Sequence, residues 1–138
     1  MRMRITSLDE KQLNVCLKNS VWGSKTNALQ KWENGDMLVF CVNKEIAAVA
    51  NVSGTADASF IPIWDNGLFP WRIPLTFTHY FSPNNRIPFS GEIRDMFYYT
   101  YGMQYGYVFL NKMLLKSEIA EFIMNKIKLH HNNLPSVK

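Results

Sequence analysis

The chain has 138 residues, of which 47% are hydrophobic, 14% aromatic and 19% charged, a profile that suits one globular domain with a ring-rich core. No apolar run reaches the ~18 residues of a membrane span, and the basic start MRMRITS leads into no apolar leader segment. A membrane protein and a signal peptide are therefore not expected, and a net charge of +4 permits a polyanionic partner without demanding one.

In chain order, 1–6 alternates as a first strand, and Ser7-Leu-Asp-Glu10 reads as a capping box opening a helix with Leu13, Cys16 and Leu17 on its apolar stripe. Val21-Trp22-Gly23-Ser24 interrupts it, and a short second helix is expected from Thr26 to Glu33, before Asn34-Gly35. Asp36 to Val42 (DMLVFCV) is a buried strand that returns, after the turn at Asn43-Lys44, as Ile46 to Val52 (IAAVANV). A small, polar loop covers 53–59, followed by a short strand from Phe60 to Trp64 and a turn at Asp65-Asn-Gly67. Trp71 to Phe81 is a strand of β-branched and aromatic residues, in which Pro74 marks an edge or a bulge. After the loop 82–85, Arg86 to Phe89 pairs again, 90–99 is ambiguous with a short helix as one option, and Tyr107 to Leu110 reads as a strand. Ser117 caps a final helix to about His130, its core side formed by Ile119, Phe122, Ile123 and Ile127. Together these elements predict a single α+β unit over 1–138, a small curved sheet or barrel of five to six strands flanked by helices.

Cys16 and Cys41 are too few for a disulfide framework and sit among apolar neighbours, as reduced core residues of a cytoplasmic protein would. None of the motifs G-x-S-x-G, H-E-x-x-H or C-x-x-C occurs, nor does a phosphate-cradling glycine loop. His130-His131 belongs to a polar tail, His79 to an aromatic strand, and Glu92 and Asp95 share a helical face with no nucleophile beside them. No catalytic residue, metal site or cofactor is expected.

The placement of tryptophan is the informative feature. Trp22, Trp64 and Trp71 fall at the edges of turns or elements, where a ring is open to a ligand, although packing into the core is the commoner fate of a ring. Trp32, at helical spacing beside Leu29, is assigned to the core.

The ordered set Asn19-Ser-Val-Trp-Gly-Ser24, Gly35-Asp-Met-Leu-Val-Phe40, the hairpin Glu45 to Ser53, Ile63-Trp64 and Phe69-Pro-Trp-Arg-Ile73 resembles the EVE family of the PUA-like superfamily. It is similar also to YTH domains, which read N6-methyladenine in RNA and carry a V-W-[AS]-[ST] turn and a G-R-D segment like Ile93-Arg94-Asp95. The resemblance covers roughly 1–115 and implies a PUA-like fold with a base pocket. It implies modified RNA or DNA as partner and, because EVE-like domains also serve McrB-type restriction systems, a separate ATPase or nuclease as effector. Residue by residue, it places Trp22 and Trp64 as cage walls, with Phe69, Leu68 and Trp71 competing for the third and Phe69 favoured. Ser24 would hydrogen-bond the base edge, joined by Asn27 and Asp95, while Arg94, Lys25 and Arg4 would meet phosphate. Gly23 stands where YTH domains have Ala or Ser, following the EVE pattern. A protein-interaction domain using the aromatic segment 97–107, or a small-ligand site in the same pocket, is the alternative.

Overall fold

A computed structural model of the protein describes residues 1–134, and the expected single unit is followed over that span. The strands are β1 (Met3–Ser7), β2 (Val21–Ser24), β3 (Met37–Val42), β4 (Glu45–Val52), β5 (Asp57–Ala58), β6 (Trp71–Tyr80) and β7 (Ile87–Pro88). The α-helices are α1 (Glu10–Asn19), α2 (Gly91–Tyr101), α3 (Gly106–Leu110) and α4 (Ser117–Asn133). One curled sheet runs in the order β1-β3-β4-β6-β2, with β5 added on β6 and β7 on β4. This is the expected α+β layout of a curved sheet flanked by helices, with seven strands in place of five or six.

β3 is an unbroken apolar run because both faces of the sheet are covered. Its residues alternate between two cores. Leu38, Phe40 and Val42 join Leu13 of α1 with Ile73 and Leu75 of β6, while Val39 and Cys41 pack with the residues of α2 and α4. From α4, Ile119, Ala120, Ile123, Met124 and Ile127 are buried at helical spacing. Register shifts at Phe40/Cys41 and Val49/Ala50 bend the sheet. β6 pairs with β2 over its first residues and with β4 over its later ones. Pro74 lies at that changeover, paired with Val21; contrary to expectation β6 is an inner strand, and its bulge falls at Thr78 instead.

Several boundaries differ from expectation, each for a local reason. The capping box of α1 is Asp9 with Gln12, not Ser7 with Glu10: Asp9 Oδ1 accepts from the Gln12 amide at 2.7 Å and Gln12 Oε1 from the Asp9 amide at 3.1 Å. Ser7 is still in the β1 ladder, opposite Cys41, and Glu10 instead takes a two-pronged bond from Arg86 at 2.6 and 2.8 Å. Val21–Ser24 is a strand rather than an interruption, because Trp71–Pro74 supplies its partner. The expected second helix shrinks to a 3₁₀ turn, Asn27–Lys31, capped by the Thr26 hydroxyl. Residues 60–64 form no strand; Trp64 pairs only with Gly67, in an isolated bridge. Residues 107–110 are helical in α3, which buries Val108 against the core and packs on β1. The ambiguous 90–99 resolves into α2. Ser117 is the first residue of α4, with Lys116 in the capping position, and the helix runs three residues past His130 to Asn133.

Among the described residues, no helix is long and apolar enough to cross a membrane.

Candidate functional site

A cavity of about 320 Å³ opens where the end of β1, strand β2, the 3₁₀ turn, the 59–70 loop and the residues after α3 meet. That volume falls within the roughly 300–1,000 Å³ of small-ligand sites. Four rings line it: Trp22, Trp32, Trp64 and Phe69.

Each ring is held by a different device. Trp22 lies on β2 opposite Ile73, with Phe40 edge-on beneath it at 5.8 Å between centroids. Trp32 follows the 3₁₀ turn, and the Arg4 guanidinium lies 4.5 Å from its ring centre. Trp64 is 8% exposed and meets Phe69 edge-to-face at 5.4 Å. Phe69 itself takes a left-handed backbone, φ 45°, which a residue with a Cβ adopts only when its surroundings hold it there.

Those surroundings centre on Arg72. Its guanidinium donates to the Phe69 carbonyl at 3.3 Å, the Leu68 carbonyl at 3.2 Å, the Ser59 hydroxyl at 3.1 Å and the Ile61 carbonyl, so it ties both ends of the 59–69 loop together. The same group stands 5.4 Å from the Trp64 ring centre. A rigid five-donor fork suits this task, as a lysine would not.

The polar lining is supplied by Ser24, Lys25, Gln12, Asn111 and Lys112, with Thr6 and Ser7 from β1. Ser24 Oγ accepts from the Thr26 amide at 3.2 Å and meets the Thr26 hydroxyl at 3.5 Å, where either group can donate. Lys25 Nζ sits 5.6 Å from the Phe69 ring and Lys112 Nζ 5.6 Å from the Trp22 ring. Burial pushes the Lys112 ammonium below its usual range. The Trp22 indole N–H is enclosed and has no partner among the described residues, a cost of about 1–3 kcal/mol unless something accepts it. Burial also pushes the Cys16 thiol, beside Trp64, up to about 12.

The cavity thus brings together Trp22, Trp64, Phe69, Ser24 and Lys25 of the residues expected from sequence, and leaves the others elsewhere. Leu68 points its carbonyl at Arg72, and Trp71 packs in β6 against the core of Leu38, Phe40 and Ile73. Asn27, on the 3₁₀ turn, does not line the cavity. Arg4 is not a free cation: it is 6% exposed, bonded to Asp36 Oδ2 at 2.6 Å and stacked on Trp32. Arg94 and Asp95 stand on α2, away from the rings, and Arg94 lines a second cavity instead. Trp32, assigned to the core, is a wall as well. A tryptophan closing a 3₁₀ turn, where the chain turns extended, is a signal that could have found it. Nothing in the pattern of 107–115 marked Lys112.

Beneath the site, Asp36 gathers Arg2, Arg4 and the Glu33 amide, at 2.6, 2.6 and 3.0 Å. Burial opposes its ionisation, but these hydrogen bonds together outweigh it and hold the carboxyl below the usual range.

No family model matches the chain, and neither does any curated protein. Among solved structures it is similar to the Mmi1 YTH domain in complex with RNA (TM-score 0.68, 14% identity, covering 91% of this chain and 80% of that one). It is similar also to the YTH domain of Zygosaccharomyces rouxii MRB1 with N6-methyladenosine RNA (TM-score 0.62, 14% identity, 98% and 89% covered). A third is the Pho92 YTH domain with m6A (TM-score 0.63, 14% identity, 92% and 86% covered). At this identity the likeness establishes a shared fold.

Proposed function

We propose that the protein is a reader module that takes a modified base, N6-methylated adenine foremost, into the four-ring cavity. The observation that carries this reading is the convergence of Trp22, Trp32, Trp64 and Phe69 on one space edged by Ser24 and Lys25. A methylated exocyclic amine gives a base an apolar edge, which rings enclose while stacking on its face, at about 1–3 kcal/mol per base. Ser24, Gln12 and Asn111 supply donors and acceptors for the polar edge. The lining offers stacking faces and hydrogen-bonding groups, the means of holding a base rather than of cutting a bond.

RNA is the favoured polymer, because the similar solved structures include complexes with RNA and with N6-methyladenosine RNA. DNA, and a separate ATPase or nuclease as effector, follow only from the EVE-like order of motifs. The Trp64 ring lies across Gly23, which accounts for a glycine at that position. Two buried, unreactive thiols suit a cytoplasmic reader.

A binding panel tests the reading: matched RNA and DNA strands bearing N6-methyladenine, 5-methylcytosine, 5-hydroxymethylcytosine or no modification. N6-methyladenine RNA should bind about fourfold or more tighter than the unmodified strand, the scale of one methyl group removed from water at about 0.8 kcal/mol. Equal affinity across the panel would overturn it. A protein-interaction role for 97–107 has one observation in its favour, the 85% and 77% exposure of Tyr99 and Met103. Phe97 is fully buried and Tyr101 and Tyr105 pack against it, while Tyr98, Tyr99, Met103 and Tyr107 are exposed, so the segment is part core and part surface.

A further inference from the structure

Next to the four-ring cavity lies a larger one of about 890 Å³, between the β3–β4 turn, β7, the start of α2 and α3. The two share Thr6, Ser7 and Lys112 as lining, so β1's last residues and Lys112 form the wall between them. Phe89, Tyr105, Phe109 and Leu110 give the second cavity an apolar lining; Lys44 and Arg94 bring positive charge to it and Glu45 one carboxylate, so with Lys112 the balance is cationic. Its rings are fixed rather than loose: Phe89 and Phe109 meet edge-to-face at 5.2 Å, and Phe89 lies 5.9 Å from Tyr105. Leu110, by contrast, is 75% exposed with no packing role.

We propose that this second cavity takes the base of a nucleotide neighbouring the modified one on the same strand, with Lys112 on the phosphate between them. The inference rests on the base-pocket reading of the first cavity and deepens it. Two adjoining cavities lined by rings, with cations at their junction and rim, match a strand whose bases alternate with anions. Lys112 is placed for that junction by a left-handed turn after α3, φ 46°, where its Nζ is near Trp22 and bonds the Leu110 carbonyl at 3.2 Å. Arg94, its nearest acid being Asp95 at 3.9 Å, and Lys44 then meet the phosphate beyond. This gives Arg94 a phosphate role without requiring it near the four rings.

The test compares four probes by calorimetry: N6-methyladenosine alone, a trinucleotide with it at the centre, and that trinucleotide made abasic on the 5′ or the 3′ side. One neighbour should add about tenfold in affinity over the nucleoside, and removing its base should cancel most of that gain, leaving the phosphate's share, while loss of the other base costs little. In Leu110→Glu, which sets a carboxylate at the exposed rim, the gain should vanish while nucleoside affinity is unchanged. Lys112→Gln should reduce the gain for either trinucleotide and flatten its salt dependence. Nucleoside binding with no gain from either neighbour, or a gain untouched by Leu110→Glu, would overturn the second site alone. Failure of the nucleoside to bind to a folded protein would overturn the base pocket and this inference with it.

Discussion

Gly23 and Trp64 are in closer contact than any other residue would permit: a Cβ at Gly23 would sit 2.5 Å from Trp64 Cη2 and 2.7 Å from Cζ3. The bare backbone of β2 is therefore the floor on which one wall of the cavity rests. Gly23→Ala must push that ring aside, at about 1–3 kcal/mol for an overpacked site. A lower melting temperature with altered tryptophan fluorescence is expected, together with weaker binding of N6-methyladenosine RNA. An alanine variant with wild-type fluorescence and affinity would show that Trp64 has room to spare.

Trp22 is the wall to remove for a clean test of stacking. It is half-buried, whereas Trp64 is 8% exposed and its truncation would open the core. Trp22→Ala should weaken the modified strand by about 10- to 100-fold, the value of one stacked base. Circular dichroism should show the fold retained. For Trp64 the loss should come with about 3–5 kcal/mol of stability, so Trp64→Leu is the better probe.

Arg72 should act as a positioning residue, since it holds the loop that presents Trp64 and Phe69. Arg72→Met, and Arg72→Lys almost equally, should raise amide exchange across 59–69 and lower affinity for the modified base. A lysine cannot reproduce the four-acceptor fork. Protected amides with reduced affinity would instead mean that Arg72 meets the ligand directly.

The Asp36 cluster sets a pH dependence. The folded-state pKa values of Asp36 and of Glu10, bonded to Arg86, both lie below their usual values. Their stabilisation is present above the ordinary carboxylate range and is lost as the pH falls through the depressed values. Thermal melts between about pH 7 and pH 3 should show stability declining at the acid end. Asp36→Asn should flatten part of that decline while lowering stability at neutral pH by about 3 kcal/mol, as expected for a broken buried pair. An unchanged acid limb in Asp36→Asn would remove the cluster from that role.

The parts of the fold that sequence reveals are those whose signal is periodic and local. β3 and β4 announce themselves as apolar runs about a tight turn, and α4 by its buried isoleucines. The misreadings come where partners are distant. Val21–Ser24 is a strand only because Trp71–Pro74 lies beside it, and 107–110 is helical because Val108 packs into the core. The same holds for the site. Trp22 and Trp64 stand out at turn edges, and Phe69 beside a proline, whereas Lys112 reaches the rings only through the path of the chain after α3. Arg4 looks like a surface cation in sequence; its burial follows from the parallel pairing of β1 with β3, which sets it near Asp36.

The cavity draws its lining from four stretches far apart in the chain, 6–12, 22–32, 64–69 and 111–112. No short fragment contains it, so a ligand there recognises the native molecule as a whole and nothing less. Occupancy is then coupled to folding by mass action: at a hundred times its Kd, such a ligand would add about 2.7 kcal/mol to the free energy of unfolding. A shift in melting temperature is therefore a sufficient screen for what the pocket holds, with no label on either partner.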